Sequence, residues 1–331
     1  MNIVFIDSSE ISFNSNDKYK SKLRGGETIL INLAEKLANI NNRVTIINNC
    51  TNEEIKNNVT WLNIKKVQHE KKILNFDVAI ANANANNLNL ISAKKKFVIS
   101  HSIQRLEKFL RKGQLLPFIR HKPKVIVLGK YHYSNRSLIT SLFGKKILPH
   151  AADDIFINEP LPEFVPKNQV IFSSRPDRNL NLLLNVWNNK ISNKCPNVKL
   201  LINPPYNSKK IDNNVIVRQL GDQKILLKDI MNSRAMLIPG HKAELFCLSA
   251  EEANQLCTPI VTYGIGCLYE RVIHGKTGFI ANNEDQFAKY ALDLINDDSI
   301  WLNMRKNLLE IRGRRTWVNV AKEFMTIIEN K

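Results

Sequence analysis

The sequence lacks the features of a membrane-spanning or a secreted protein. Among its 331 residues, no apolar run reaches the length of about 18 residues that a spanning helix needs. The start, MNIVFIDSS, has neither a basic leader nor a cleavage site, and it is typical of a first β-strand. We therefore expect a cytoplasmic protein.

Cysteine is scarce, which limits disulfide and metal chemistry. The chain has five cysteines, an odd number, and no two of them form a C-x-x-C pair. Cys247, Cys257 and Cys267 recur every ten residues near His241 and His274, but this spacing is not that of a zinc motif. We expect reduced, buried or half-buried thiols. A D-x-D motif is also absent, so no metal or other cofactor is predicted.

Acidic residues are few in the first half of the chain. Residues 1–150 hold 25 Lys and Arg against 10 Asp and Glu, an excess of 15, whereas residues 151–331 hold 23 against 20, an excess of 3. Two interpretations fit the positive charge of the first half. It reflects either a general bias to lysine and asparagine on solvated faces or a surface that attracts an anionic partner. No aromatic–basic motif or zinc-finger spacing accompanies the lysines. A membrane surface is therefore favoured over nucleic acid.

Short apolar runs alternate with helical patterns in both halves of the chain. Such runs predict strands at 2–7, 43–48, 76–82, 96–101, 124–129 and 145–150, and again at 168–174, 198–204, 215–220, 235–240 and 259–264. Most are continuously apolar, as in parallel strands that helices cover on both faces. The chain length fits two domains of about 150 residues each. The predicted fold class is α/β, with two Rossmann-like, doubly wound parallel-sheet domains facing across a cleft.

Two glutamates stand out in the stretch HKAELFCLSAEEANQLCTPIV. Glu244 lies between a predicted strand and a helix that begins near Leu248 or Ser249, and Glu252 lies about one turn inside that helix. Helix N-termini attract phosphate, whereas carboxylates accept hydrogen bonds from sugar hydroxyls. The segment is thus typical of a nucleotide-sugar site. As plain acids at a helix start, the two glutamates need no such role.

Positive charge and bare backbone occur at similar strand-to-helix turns. Arg175 and Arg178 follow the strand at 168–174, where paired guanidinium groups suit a diphosphate. In the first half, the LRGGE turn at 23–27 places Gly25 and Gly26 at a helix start, where backbone can approach phosphate. Their common placement at sheet edges favours one donor site.

The C-terminal stretch resembles the retaining glycosyltransferases of family 4, which belong to glycosyltransferases group 1 and have the GT-B fold. The family's two glutamates separated by seven residues correspond to Glu244 and Glu252. A Thr-Pro before an apolar strand, a glycine turn and a G-x-T-G turn follow at 258–259, 264–266 and 275–278. More loosely, RGGE, KFVISHS, ILPHAADDIF and RRTWVNVAKEF resemble the family's N-terminal turn, a strand ending in His101, the interdomain segment and the final helix.

The resemblance implies an activity and a set of residues. The protein would move a sugar from a nucleotide sugar to a carbohydrate or glycolipid acceptor with retention of configuration, in cell-surface polysaccharide or lipopolysaccharide synthesis. Glu252 would bind the ribose, Glu244 the donor sugar, and Arg175 and Arg178 the diphosphate. The implied catalytic residues are Glu244, Arg178 and His101; the donor-binding residues are Glu252, Arg175, Gly25, Gly26, Phe246, Cys247 and Leu248. The implied domains are residues 1–150, residues 151–312 and a C-terminal helix, 313–331, that crosses back to the first domain.

Other functions fit the same residues. The chain is alternatively a non-catalytic nucleotide- or sugar-binding protein on this scaffold, an inverting transferase, or a nucleotide-sugar epimerase. His101 is alternatively a histidine at a strand end with no role in the site. Residues 105–124 combine apolar residues with seven basic residues and one acid. They fit a membrane-surface segment or a pair of core-packed helices.

Overall fold

The computed structural model of the protein describes most of the chain. The described residues are 1–20, 23, 25–70, 73–166, 168–203, 214–219 and 221–329. Arg24 of the predicted turn, the ends of two predicted strands at Pro204 and Leu220, and the last two residues of the predicted final helix lie outside them. Two compact units result, one from Met1–His150 with the chain from Trp317 onward and the other from Ala151–Thr316. Among the described residues, no helix is long and apolar enough to cross a membrane.

The N-terminal unit contains an eight-stranded sheet in the order β3-β4-β2-β1-β5-β6-β7-β8. Its strands are β1 (Asn2–Ile6), β2 (Arg43–Asn48), β3 (Glu54–Lys56), β4 (Val59–Asn63), β5 (Leu74–Asn82), β6 (Ile91–Ile99), β7 (Lys124–Val127) and β8 (Lys145–Ile147). All neighbours pair in parallel except β3 and β4. The helices within Met1–His150 are α1 (Gly25–Asn39), α2 (Ile64–Glu70), α3 (Leu106–Arg111), α4 (Leu115–His121) and α5 (Lys130–Asn135).

The C-terminal unit contains a six-stranded, wholly parallel sheet in the order β11-β10-β9-β12-β13-β14. Its strands are β9 (Gln169–Ser173), β10 (Lys199–Asn203), β11 (Val215–Val217), β12 (Met236–Leu237), β13 (Ile260–Thr262) and β14 (Gly278–Ile280). Its helices are α6 (Asp154–Asn158), α7 (Leu180–Val186), α8 (Gln223–Met231), α9 (Leu248–Gln255), α10 (Glu284–Asn296) and α11 (Asp298–Ile311).

The last helix, α12 (Trp317–Glu329), belongs to the N-terminal unit, where it packs against α1. Phe324 meets Phe97 of β6 edge-to-face, with ring centroids 5.8 Å apart. Trp317 is 1% exposed, and its ring stacks on that of His150 at 5.5 Å. The apolar face of the helix therefore completes the core of the first unit.

The structure differs from the sequence prediction mainly at five strands, β3, β4, β6, β12 and β14, of which β14 was not predicted. The hairpin β3–β4 was not predicted; Asn57 and Asn58 make its two-residue turn with φ angles of 50° and 60°, which asparagine tolerates well. β6 begins at Ile91, whereas the sequence predicted its start at residue 96. The prediction missed the first half of the strand because that half is polar and lacks an apolar pattern. β12 is only two residues long, since Pro239 lacks an N–H for the ladder and Gly240 turns away with φ +96°.

The predicted fold class is confirmed: each unit is an α/β unit with a doubly wound sheet. The strand order reverses between β1 and β5 in the first unit and between β9 and β12 in the second. Chains leave neighbouring strands in opposite directions at such a point and open a crevice beside the carboxyl ends. Each unit therefore has one edge that is built for ligand binding.

Candidate functional site

In the C-terminal unit, the loops after β9 and β12 meet where the strand order reverses. Asn179 ends the first loop in the left-handed conformation, with φ 65°, which asparagine adopts more readily than most residues. Its side-chain amide donates a hydrogen bond of 2.5 Å to the carbonyl of Gly240, which follows β12. This bond fixes the two loops to each other and so places Arg178 opposite Glu244.

Arg178 and Glu244 form the centre of this site. The Nε of Arg178 lies 3.1 Å from the Oε1 of Glu244, and their side chains are 14% and 11% exposed. The hydroxyl of Ser174 donates to the same oxygen at 3.0 Å, and Asp177 holds the Nη1 of Arg178 at 3.2 Å. A guanidinium group and a carboxylate are thus held side by side and largely shielded from water, where charge interactions are strong.

His241 adds a third functional group to the pair. Its Nδ1 accepts a hydrogen bond from the backbone N–H of Ala243 at 3.0 Å and lies 3.3 Å from the Nη1 of Arg178. Two donors face this nitrogen, so it is the unprotonated nitrogen of the ring. The imidazole therefore fixes the guanidinium without adding a positive charge.

Close backbone packing shapes the wall of the site. Gly266 has φ +74°, and a Cβ built there would lie 2.9 Å from the carbonyl oxygen of Glu244 and closer still to that of His241. The N–H of Cys267 donates to the carbonyl of Glu244 at 3.0 Å. Only glycine allows the turn after β13 to approach the loop that carries Glu244.

Glu252 is buried in α9 without a partner for its charge. It is 4% exposed, and among the described residues nothing forms a hydrogen bond or ion pair with its carboxyl group. Burial, with smaller effects from the charges of Asp153 and Glu251, raises the pKa of Glu252 to about 8. A buried carboxyl group without a protein partner is destabilising, and such strained groups are concentrated at functional sites.

The adjacent Glu251 has a structural environment instead. Its Oε2 ion-pairs with the Nη1 of Arg271 at 3.1 Å, and its Oε1 accepts from the amide of Gln255 at 3.0 Å. The guanidinium of Arg271 also lies 4.2 Å from the ring centre of Phe246 and donates to the carbonyl of Phe246. Glu251 and Arg271 therefore anchor the start of α9.

The structure places the remaining predicted donor residues of this unit in different surroundings. Phe246 and Cys247 are 4% and 6% exposed, and Leu248 begins α9. Arg175 lies in the same loop as Arg178, but its side chain is 71% exposed and forms a two-pronged pair with Asp177, at 3.0 and 2.7 Å. The structure therefore brings Arg178 to Glu244 and leaves Arg175 at the surface.

In the N-terminal unit, polar side chains meet at the reversal between β1 and β5. Asp7 follows β1, Asn82 ends β5 and His101 follows β6. The amide nitrogen of Asn82 donates to Asp7, and its oxygen lies 2.6 Å from the Nε2 of His101. Because burial lowers the pKa of His101 to about 4, outweighing the opposite effect of Asp7, the ring is neutral at pH 7 and donates from Nε2. Its Nδ1 is left as an acceptor.

A buried arginine fixes the loop that carries His101. The Nη1 of Arg136, which is 4% exposed, donates to the hydroxyl of Ser100 and to the carbonyl of Ser102 at 2.5 and 3.3 Å. The Nε2 of His132 donates to the same Ser102 carbonyl at 3.0 Å. Burial lowers the pKa of His132 to about 3, so this ring too is neutral.

The predicted glycines lie beside this histidine. Gly25 and Gly26 are the first residues of α1, and a Cβ on Gly26 would lie 4.0 Å from the Nε2 of His101. That separation is an ordinary contact, so glycine is not required there by the histidine ring. The structure thus brings together Gly26 and His101, two residues that the sequence analysis named separately.

Sequence reasoning missed the side chains that hold these groups in place. Ser174 and His241 contact the Arg178–Glu244 pair, whereas Asp7 and Asn82 contact each other beside His101. A usable signal existed, because each of the four lies at, or within a few residues of, the carboxyl end of a strand. In a parallel sheet, such residues meet at one edge.

The cysteines are free and buried, as predicted. Burial raises the pKa of Cys257 to about 11 and that of Cys267 to about 12, so both are unreactive thiols at pH 7. Within the part of the chain that the structure describes, no three His, Cys, Asp or Glu side chains are grouped as metal ligands would be.

Glycine at position 266 is required for the position of Glu244. We expect Gly266→Ala to lower the melting temperature and weaken ligand binding, because the new methyl group meets two backbone carbonyls. Gly275→Ala is the matched control: Gly275 has φ +74° as well, but nothing lies within 4 Å of its Cβ position. The control should lose only about 1–2 kcal/mol of folding free energy, which is the cost of holding alanine in the left-handed conformation. Equal losses for both variants in thermal unfolding would contradict this packing.

Stability should depend on the protonation of Glu252. Between its ordinary pKa of 4.5 and about 8, the unfolded chain is ionised there while the folded protein keeps the proton, so stability falls as pH rises through this window. We expect Glu252→Gln to stabilise the protein by about 1–3 kcal/mol near pH 8. Glu251→Gln, which breaks a buried ion pair, should destabilise it by about 3–5 kcal/mol. Urea unfolding at several pH values measures both, and equal effects of the two variants would refute the assignment.

Comparison with known proteins adds a family and a set of similar structures. Residues 157–311 match the model of the family Glycosyl transferases group 1. No protein with a curated description matches the sequence.

Three solved structures illustrate the similarity. Anabaena HepE, in complex with UDP-glucose, has 15% identity and a TM-score of 0.74, with 99% of each chain covered. Sucrose-phosphate synthase from Thermosynechococcus elongatus has 15% identity and a TM-score of 0.71, with 98% of each chain covered. WaaG, a glycosyltransferase involved in lipopolysaccharide biosynthesis, has 10% identity and a TM-score of 0.73, with 99% of this chain and 100% of WaaG covered.

These comparisons agree with the architecture described above. The similar structures share the GT-B arrangement of two α/β units, and the family match covers the segment that carries Arg178, Glu244 and Glu252. Together they indicate that the protein is a glycosyltransferase.

Proposed function

We propose that the protein transfers a sugar from a nucleotide-sugar donor to a carbohydrate or glycolipid acceptor, with retention of anomeric configuration and without a metal or other cofactor. The observation that carries the proposal is the shielded Arg178–Glu244 pair at the strand-order reversal of the C-terminal unit. The UDP-glucose bound to HepE and the involvement of WaaG in lipopolysaccharide biosynthesis support a nucleotide-sugar donor and a cell-surface glycan as product.

The ion pair suggests how the donor binds. In the structure, Glu244 and Asp177 neutralise the guanidinium of Arg178. A diphosphate offers more charge and competes for this group, so its arrival releases the carboxylate of Glu244 to accept hydrogen bonds from the hydroxyls of the donor sugar. Arg175, held only by an exposed pair, is available to swing onto the same diphosphate.

Glu252 suits the ribose of the nucleotide. Its carboxyl group has no partner among the described residues, so hydroxyl groups of a ligand satisfy it without breaking a native bond. The start of α9 lies next to it and offers backbone N–H groups with a favourable dipole to phosphate. In the transition state, negative charge grows on the leaving diphosphate, and Arg178 stabilises that charge. No acidic side chain is required as a nucleophile in this scheme.

In the N-terminal unit, His101 is proposed to act on the substrate through hydrogen bonding. The ring is neutral and oriented by Asn82 and Asp7, which leaves Nδ1 as an acceptor for a hydroxyl group. Gly25 and Gly26 open α1 beside it and provide backbone N–H groups. This arrangement suits recognition of a polar, uncharged group such as a sugar hydroxyl.

Kinetics and product analysis test the proposal together. A thermal-shift panel of UDP-, GDP-, ADP- and dTDP-sugars, begun with UDP-glucose, identifies the donor, and NMR of the product should show the anomeric configuration of that donor. We expect Arg178→Ala and Glu244→Gln to lower kcat by about 100-fold, or about 3 kcal/mol, because each removes a preorganised charge. Glu252→Gln should mainly weaken donor binding.

The matched control is Lys190→Ala, which removes a positive charge from an exposed ion pair with Asp285 in the same unit and should leave kcat unchanged. An inverted product would identify an inverting enzyme, and donor conversion without acceptor would identify an epimerase. Normal kinetics in both Arg178→Ala and Glu244→Gln would refute the site.

A membrane surface is the proposed location of the acceptor. Phe109 of α3, Phe118 of α4 and Phe143 are packed together, with successive ring centroids 5.3 Å apart. The two short helices thus pack on the core through one face, as one of the sequence interpretations held. Their other face, with the neighbouring 138–142 segment, leaves large apolar side chains in water. Leu116 is 79% exposed and Leu138 78% exposed.

Exposed basic side chains belong to the same two helices or flank them, as in segments that bind anionic lipid. They are Arg105, Lys108, Arg111, Lys112 and Arg120. Peripheral attachment to the inner face of a membrane follows from this combination, because the leucines enter the interface while the basic groups meet anionic headgroups.

Flotation with vesicles tests the attachment. We expect the wild-type protein to float with vesicles that contain phosphatidylglycerol and not with phosphatidylcholine alone, and Leu116→Asp with Leu138→Asp to abolish flotation. Ile55→Asp is the matched control, since Ile55 is 75% exposed in the same unit but lies in the β3–β4 hairpin. Flotation that is independent of anionic lipid, or equally lost in the control, would contradict the proposal.

A further inference from the structure

A basic cavity lies at the amino-terminal side of the first sheet, between the start of β6 and the turn that leads from α4 into β7. Its volume is about 300 Å³. Five lysines and a histidine line it: Lys94, Lys95, Lys96, Lys122, Lys124 and His121. Lys95 precedes His101 by six residues, about 20 Å along an extended chain. The cavity is therefore distinct from the carboxyl edge where the polar group of Asp7, Asn82 and His101 lies.

The topology of the sheet creates this cavity. β6 pairs with β5 from Ile91 onward, but it pairs with β7 only at 97–99. Residues 91–96 thus extend past the start of β7, and no described strand pairs with them on that side. Lys122 ends α4 in the left-handed conformation, with φ 48°, and the chain enters β7 at Lys124. This turn places two more lysines beside the protruding strand.

The positive charges of the cavity are poorly compensated. Lys94 ion-pairs with Asp77 at 2.9 Å, Lys95 donates to the carbonyl of Ile328, and Lys96 donates to the Nδ1 of His121 at 3.1 Å. Asp77 is the only carboxylate among these partners. Five lysines against one acid leave an excess of four positive charges.

Two of the lysines are free to bind. The side-chain ammonium groups of Lys122 and Lys124 have no hydrogen-bond or ion-pair partner among the residues that the structure describes. His121 offers no negative charge to the cavity. Both of its ring nitrogens already have partners, since Nδ1 accepts from Lys96 and Nε2 faces the side-chain oxygen of Asn89 at 2.8 Å. An incoming anion therefore gains ammonium contacts without breaking a native ion pair.

The chemistry of the lining indicates the class of ligand. Lysine ammonium groups are point charges that respond to charge density, whereas planar recognition of carboxylates and of single phosphates is the property of arginine. The aromatic residue of the lining, Phe97, is 2% exposed and offers no face on which a base stacks. We propose that this cavity binds a phosphate-dense anion of the diphosphate type, either free in solution or carried by a lipid headgroup. The proposal does not depend on the proposed transferase activity.

Calorimetric titration with inorganic pyrophosphate tests the site. Since the proposed donor site in the C-terminal unit also suits a diphosphate, the titration uses an Arg175→Ala, Arg178→Ala background in which that site is weakened. We expect pyrophosphate to bind this background protein, and Lys122→Gln with Lys124→Gln to weaken the binding by about tenfold or more. Neither side chain forms a hydrogen bond or an ion pair with a described residue, so the variant should keep its fold.

The control variant has the same change in charge elsewhere in the same unit. Lys56→Gln with Lys65→Gln should leave pyrophosphate binding unchanged, since both lysines are exposed and distant in the fold. Vesicles of phosphatidylcholine with a minor fraction of diacylglycerol pyrophosphate, a lipid with a diphosphate headgroup, form a second arm. If the background protein binds pyrophosphate only weakly and the cavity variant loses binding to the vesicles, the source of the phosphate is a lipid headgroup.

Equal binding of both probes by the cavity variant and the control variant would overturn the proposal. The lysines would then only protect the unpaired edge of β6 from pairing with another chain, a common role of lysine at such edges. Normal sugar transfer by the Arg178→Ala protein would count against the proposed function and not against this cavity, so the two failures can be told apart.

Discussion

The reversal of strand order in each parallel sheet is the constraint on which the functional groups depend. Strands that helices cover on both faces carry mostly apolar side chains where they are covered, so polar functional groups collect at the ends of the strands. Where the chain leaves two neighbouring strands in opposite directions, a crevice opens between the two loops. Polar side chains from both loops face each other in that crevice. Arg178 with Glu244, and Asp7 with Asn82 and His101, both lie at such points.

The site of the C-terminal unit combines compensated and uncompensated charge. Arg178 and Glu244 compensate each other's charge, and the backbone contact at Gly266 holds the glutamate in place. Glu252, by contrast, is buried with nothing to stabilise its ionised form, and its raised pKa reflects that cost. Natural proteins accept such destabilising groups where binding requires them. Under the proposed function, the first arrangement would serve the diphosphate of the donor and the second its hydroxyl groups.

The sequence predicted the α/β class and most of the strands because continuous apolar runs between helical patterns have few other interpretations. It failed where the pattern was polar or short. Three consecutive lysines hid the first half of β6, and the Asn57–Asn58 turn was the only signal for the β3–β4 hairpin. The length of β12 was overestimated, because apolar composition does not reveal where Pro239 and Gly240 end a ladder.

For the site, the sequence alone determined which residue types stand at the ends of strands, and the spacing of Glu244 and Glu252 suggested their chemistry. Only the tertiary structure decided their partners. Glu251 and Glu252 are neighbours in the same helix, yet one faces Arg271 and the other has no partner for its charge. Asp7 and Asn82 are 75 residues apart and touch. Local sequence encodes helix and strand through short-range periodicity, whereas the partner of a buried charge is set by segments that the fold brings together from distant parts of the chain.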